Sequence, residues 1–174
     1  MKLLLDAEQI RTGVARLARQ IAHDYAGRSP ALIGVLTGSL VLLADLMRQI
    51  DLPLRIGLVQ ARSYRGAATR PGELELHLDL LPEIAGQDVL LVDDIFDTGH
   101  TLEALVAKLQ LQRPRSLRSA VLLRKQGRQV VTLSPDYVAF EVPDVFVVGY
   151  GLDYQDAYRH LPYVAQLDEV ELRD

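Results

Sequence analysis

Apolar residues fall along this chain in two rhythms, short unbroken runs and a three-four helical spacing, and the two alternate. Val89 to Val92 and Ala31 to Leu36 (ALIGVL) are runs of the kind that forms strands buried on both faces, as in a parallel sheet. Arg118 to Leu123 (RSAVLL) reads as a further strand. Within Pro53 to Gln60, Leu54, Ile56 and Leu58 alternate; Leu74, Leu76, Leu78 and Leu80 alternate with Glu73, Glu75, His77 and Asp79, which predicts a strand with one exposed face. Helices are predicted between these runs. Ile10, Val14, Leu17 and Ile21 form one stripe, with Asp6 as its N-cap and Gln9 at the capping-box position. Leu40, Leu43, Ala44, Met47 and Ile50 mark one side of a second helix, and Leu102, Leu105, Val106 and Leu109 mark a third that ends before Pro114. The alternation predicts an α/β fold with a mainly parallel central sheet flanked by helices.

At 174 residues the default is a single domain over 1–174, which buries roughly 70% of its unfolded chain's surface. Apolar residues make up 49% of the chain and charged residues 24%, so low-complexity disorder is excluded. The net charge of -4 speaks against a nucleic-acid partner. No cysteine is present, which rules out disulfides and thiolate metal sites and fits a reducing cytoplasm. No apolar run reaches the ~18 residues of a membrane span, and the N-terminus lacks a signal-peptide pattern, so the expectation is a cytoplasmic protein with no membrane partner.

The chemistry is most legible in Gln87 to Leu109, QDVLLVDDIFDTGHTLEALVAKL. A strand runs into Asp93 and Asp94, then into the small, polar Asp97-Thr98-Gly99-His100-Thr101, then into a helix. A helix start presents free backbone N–H groups and the positive end of a dipole, which suits a phosphate. Thr98 and Thr101 add hydroxyls, and Gly99 allows close approach. Acids beside a phosphate repel it unless a ribose or a divalent cation lies between, so the implied ligand is a sugar phosphate with a metal. Taken alone, the loop reads equally well as an N-capped turn with nothing bound. Thr37-Gly38-Ser39 repeats the strand, small-residue turn and helix start, and a lone turn of this kind is usually a simple cap. Arg62 to Gly72 is small, polar and basic without periodicity; it reads as a hairpin connection or a lid, the lid being favoured because long irregular loops in compact domains are often functional.

The string VLLVDDIFDTGHTL resembles the phosphoribosyl-pyrophosphate (PRPP) loop of type I phosphoribosyltransferases. The run from Tyr137 to Tyr154, continuing through Tyr158-Arg159-His160-Leu161-Pro162-Tyr163, resembles the C-terminal base-binding region of the hypoxanthine-guanine branch, which the adenine, orotate and uracil branches lack. The resemblance spans about Leu32 to Leu167. It implies the type I phosphoribosyltransferase fold, with a small hood and a mobile lid loop carrying Ser63 and Tyr64. It implies that Asp93, Asp94 and the turn of Asp97, Thr98, Gly99, His100 and Thr101 hold the ribose and phosphate of PRPP. Backbone N–H groups of Thr37, Gly38 and Ser39, with Arg159, would hold pyrophosphate, and the Leu36–Thr37 peptide is expected to be cis.

By the same resemblance Lys125 would donate to the purine O6, Phe146 would stack on the ring and Val147 would bond its edge through the backbone. Asp153 would bind a second Mg2+ through water, and Asp93 and Asp94 would face metal-bound PRPP. Adenine presents an amino donor where O6 would be, so Lys125 argues against it. Asp97 would be the general base at N7 as N9 attacks the anomeric carbon. The reaction implied joins PRPP to hypoxanthine or guanine and yields IMP or GMP and pyrophosphate, in a homodimer or homotetramer. Two departures stand out: Thr37 replaces a lysine common in purine-salvage members, removing a charge but not the backbone donors, and Asp93 replaces a longer glutamate. Two readings from other classes stand beside this one. An RNA-binding regulator on the same fold calls for a basic surface. A phosphoacceptor signalling domain also pairs acids at a strand end, but places its acceptor aspartate on a later strand.

Overall fold

Strands and helices alternate in a computed structural model that describes residues 1–63, 74–168 and 171. The central sheet has the order β4-β3-β2-β5-β6-β7, formed by β2 (Ala31–Leu36), β3 (Arg55–Ser63), β4 (Leu74–His77), β5 (Asp88–Phe96), β6 (Ser116–Lys125) and β7 (Tyr137–Val142). All its pairings are parallel except β3 with β4, which are antiparallel. A second, three-stranded antiparallel sheet, the hood, joins β1 (Lys2–Leu5), β9 (Val164–Gln166) and β8 (Val147–Val148) in the order β1-β9-β8.

Residues of β2 and β5 alternate between two cores, as a strand buried on both faces must. Leu32, Leu90 and Val92 join helices α1 (Ala7–Asp24) and α2 (Leu40–Gln49) on one face. Ile33, Val89 and Leu91 join α3 (His100–Gln110) on the other. The expected stripe of α1 is buried, and Asp6 and Gln9 form the expected capping box. The stripe expected for α2 is not the one observed. Leu42, Leu43 and Leu46 face the core, whereas Leu40 and Met47 are 41% and 46% exposed and Ala44 is exposed too. Apolar residues fill every position of LVLLADLM but Asp45, so their spacing fits more than one inner face. β5 is also longer than the run Val89 to Val92, because pairing with β6 continues through Ile95–Leu123 and Phe96–Arg124. Asp93 and Asp94 therefore belong to the strand. No helix among the described residues is long and apolar enough to cross a membrane.

At the opposite edge from these acids, Asp88 opens β5 fully buried, held by the Arg115 guanidinium and by the Ser116 hydroxyl at 2.6 Å. The Arg115 hydrogen bond, with help from Ser116 and against the cost of burial, keeps its carboxyl below the usual carboxylate range. A depressed folded value means the stabilisation is present above the unfolded pKa and is lost as pH falls through the folded one. We expect Asp88→Asn to cost about 1–3 kcal/mol at neutral pH. Denaturant melts of both proteins as a function of pH should show that gap closing below about pH 4.

Candidate active site

β2, β5 and β6 run parallel and end on one edge, so the loops that follow them meet there. The first is the turn 37–39. Its Leu36–Thr37 peptide is cis, as expected. Ser39 is turned inward, with its hydroxyl donating to the Val35 carbonyl at 2.6 Å and its N–H to the same oxygen at 3.3 Å. Both donors are satisfied within the turn, which leaves Thr37 and Gly38 to line the adjoining cavity. The second loop is the turn 97–101. Gly99 caps α3 at φ +95°, where a Cβ would lie 2.3 Å from the Val131 side chain. Glu103 makes the first helical bond, to the Gly99 carbonyl, so the N–H groups before it have no helical acceptor. A strap from the loop after β6 braces this turn from outside: Gln129 Nε2 donates to the Asp97 carbonyl at 3.1 Å and the Val130 N–H to the Thr98 carbonyl at 3.0 Å.

Between the turns stand Asp93 and Asp94. Gly38 packs so closely on Asp94 that a Cβ there would lie 1.6 Å from Oδ2. Asp93 is only 7% exposed and accepts from the Asp94 N–H at 2.9 Å. Burial first, then the neighbouring charge, pushes its carboxyl well above the usual range. Burial raises Asp94 too, against hydrogen bonds from Asp93 and from backbone N–H groups that favour its ionised form. Asp93 is thus the member whose burial is less offset by hydrogen bonds. Asp97 is tuned the other way. Desolvation raises it, but Arg128 Nε at 3.0 Å from Oδ1 and Lys125 Nζ at 3.1 Å from Oδ2 outweigh that and hold it below the usual range. Asp144 lies 3.7 Å from Lys125 and 3.5 Å from Arg128, completing a cluster of two acids and two bases.

Two cavities flank this line of acids. One, of about 300 Å³, is lined by Thr37 and Gly38 on one side, Asp93 to Gly99 and Thr101 on the second, and Asp153 and Arg159 on the third. The other, of about 190 Å³, is lined by Lys125, Phe146, Val147 and Leu152, and shares Asp94, Ile95, Asp97 and Asp153 with the first. Phe146 is 40% exposed and meets Tyr154 edge to face at 5.5 Å. From the hood side, Arg159 Nη2 reaches Asp153 Oδ1 at 2.9 Å and Nη1 donates to the Gly151 carbonyl at 2.8 Å.

Most residues expected from the sequence converge here. His100 is exposed and lines neither cavity, and Ser39 is buried behind the turn. Ser63 ends β3, while Tyr64 and the rest of the expected lid, 64–73, lie outside the described residues. Arg128, Gln129, Asp144 and Gly151 were not anticipated, because each acts through a contact distant in sequence. Among the described residues no three ligating side chains form a metal cage. Asp93, Asp94 and Asp153 instead line one cavity, a donor set that suits a magnesium ion drawing most of its ligands from phosphate and water.

Residues 2–155 match the family model described as the phosphoribosyl transferase domain. The chain is 40% identical over 168 residues to the hypoxanthine-guanine phosphoribosyltransferase of Streptococcus mutans, covering 97% of this chain and 93% of that protein. A crystal structure of a hypoxanthine-guanine phosphoribosyltransferase from Bacillus anthracis superposes with a TM-score of 0.91 at 38% identity, covering 97% of this chain and 99% of the other. A ternary substrates complex of the Trypanosoma cruzi hypoxanthine phosphoribosyltransferase gives 0.91 at 38% identity, over 98% and 97% of the two chains.

The overlap a Cβ would make with Asp94 yields a test. Gly38→Ala should lower stability by about 1–3 kcal/mol through overpacking. It should also weaken pyrophosphate binding at least about tenfold by calorimetry, the equivalent of losing one hydrogen bond to a charged group. Wild-type affinity would remove the turn 37–39 from the site.

Proposed function

This chain belongs to the phosphoribosyltransferases, in their hypoxanthine-guanine branch, and we propose how its two cavities divide the transfer of a 5-phosphoribosyl group from PRPP to hypoxanthine or guanine in purine salvage. The larger cavity takes PRPP. Its 5'-phosphate sits on the turn 97–101, its ribose hydroxyls on Asp93 and Asp94, and its pyrophosphate against Thr37, Gly38 and Arg159. The smaller cavity takes the purine on Phe146, with its edge at Val147. Purine N9 attacks the anomeric carbon as the bond to pyrophosphate breaks, and the positive charge that develops on the ribose is met by the flanking carboxylates. Asp153, Asp93 and Asp94 would be the carboxylate neighbours of a magnesium ion carried by PRPP, which would supply charge neutralisation for the leaving pyrophosphate. The cysteine-free composition is consistent with a cytoplasmic setting.

The observation that carries this division is the Lys125–Asp97 pair, 3.1 Å apart on the wall between the cavities. O6 and N7 are neighbours on one edge of a 6-oxopurine; one accepts a proton donor and the other gives up a proton in the reaction. A lysine beside a carboxylate matches that edge. The pairing also resolves a difficulty, since a carboxylate held below its usual range is a weak base. When Lys125 turns from Asp97 to O6, one of the two cations holding the carboxylate down is withdrawn. Reading the base and raising the basicity of Asp97 are then the same movement. Adenine, with a donor at that position, leaves Lys125 on Asp97 and the carboxylate weakly basic.

A panel of bases incubated with PRPP and magnesium tests the reading: turnover is expected with hypoxanthine and guanine, and little with adenine, uracil or orotate. Asp97→Asn should lower kcat by about 10²- to 10⁴-fold. An unchanged rate would exclude Asp97 as the base. An RNA-binding role would instead show as salt-sensitive RNA affinity.

A further inference from the structure

The two walls of the larger cavity belong to different sheets, and something must hold them at a set distance. Thr37 and Gly38 lead into α2 of the main body, whereas Asp153 and Arg159 belong to the segment following β8 of the hood. Across this seam the segment Gly149-Tyr150-Gly151 takes φ of +97°, +49° and +101°. Two glycines adopt that region freely, but Tyr150 between them does not. A bulky residue in the left-handed region persists only where its surroundings hold it there. What holds it is specific. The buried Tyr150 hydroxyl donates to Asp45 Oδ2 at 2.6 Å, and its N–H donates to the Leu161 carbonyl at 2.8 Å. Asp45 stands on α2, whose first turn follows Ser39.

From Asp45 the contacts run in one direction, into the site. Tyr150 fixes Gly151, which lies so close to the body that a Cβ would come 2.2 Å from the Gly38 carbonyl. Gly38 in turn abuts Asp94. On the hood side, the Gly151 carbonyl receives Arg159 Nη1. Beneath the clasp lies a cavity of about 600 Å³, lined by Val41, Asp45, Arg48, Tyr150, Arg159 and Leu161 among others. Tyr150 packs in the core cluster that holds Leu42, Leu43 and Leu46 of α2, and its hydroxyl adds a directed contact, to Asp45, at the edge of this cavity.

We propose that Asp45 and Tyr150 form a positioning couple that seats the hood segment on the turn 37–39 and so sets the width of the pyrophosphate end of the PRPP cavity. Neither residue touches the reacting atoms. The inference rests on the proposed function, since it takes the larger cavity to be the PRPP site. It predicts a split: loosening the couple widens the Thr37/Gly38-to-Arg159 end and leaves Lys125, Phe146 and the purine cavity largely in place.

Steady-state kinetics on Tyr150→Phe, Asp45→Ala, Asp45→Asn and the double variant Tyr150→Phe/Asp45→Ala test this at a temperature well below each melting transition. The KM for PRPP should rise about tenfold in Tyr150→Phe and Asp45→Ala, the size of a lost hydrogen bond to a charged acceptor. The KM for hypoxanthine and kcat should move less than about threefold. Asp45→Asn, which keeps an acceptor oxygen, should recover most of the loss seen in Asp45→Ala. The double variant should be no worse than the worse single one, because both remove one interaction. A lowered melting temperature with an unchanged KM for PRPP, equal rises in both KM values, or additive losses would each overturn the couple while leaving the proposed function standing. A wild-type protein without PRPP-dependent transfer would overturn both.

Discussion

The register of β5 between β2 and β6 is the constraint on which the site depends. Val92 lies opposite Gly34 on one side and Ala120 on the other, and the parallel direction of all three strands sends their following loops to a single edge. From that register, Leu36 leads into its turn beside Asp94, and Lys125 ends β6 beside Asp97. A slip of one residue would turn Asp93 and Asp94 to opposite faces of the sheet. The register is held by apolar residues that face both cores, Leu90 and Val92 toward α1 and α2, Val89 and Leu91 toward α3. Chemistry at one end of β5 is therefore positioned by hydrophobic burial along the rest of it.

Three carboxylates within five residues are driven to different proton affinities by what surrounds them. Asp93 is buried beside a like charge and has its affinity raised furthest; Asp94 is half-buried and hydrogen-bonded; Asp97 is partly open and held by two cations. Neighbouring groups pushed apart in this way are how one site combines a charge-stabilising role with a proton-accepting one. Arg128 and Asp144 matter for the same reason. Arg128 holds Oδ1 of Asp97 independently of Lys125, and Asp144 gives both cations a second partner.

The elements legible in advance were those governed by local rules. The capping box of α1, the doubly buried β2 and the Gly-containing turn before α3 each follow from a few adjacent residues. The acid pair was picked out by the long motif around it, and Lys125 by its place at the end of the strand that follows. What was not legible depends on contacts across the chain. The inner face of α2 is chosen by the strands beneath it, since its run of apolar residues fits more than one face. Ser39 looked like a cavity donor by position, yet its hydroxyl and N–H both turn to Val35, an outcome decided by the geometry of the turn. β1 carries no strand signal beyond Leu3, Leu4 and Leu5, and exists because β9 pairs with it from the far end of the chain.

The hood explains why so much of the site rests on glycine contacts. A sheet of three strands this short is marginal by itself, so its position must come from what it touches. Val147 and Val148 pair with Gln166 and Ala165, and the Leu167 N–H donates to the Phe146 carbonyl at 3.0 Å, so the aromatic wall of the smaller cavity is fixed within the hood. Nothing in that pairing sets the distance from Phe146 to Lys125, which stands on β6. Hood and body meet at Gly151 against the Gly38 carbonyl and at Tyr150 on Asp45, at the Thr37/Gly38 end of the larger cavity, while Gly149 against the Tyr163 carbonyl packs the hood on itself. A side chain at Gly151 would wedge hood and body apart. The two adjoining cavities thus share a seam in which backbone meets backbone directly.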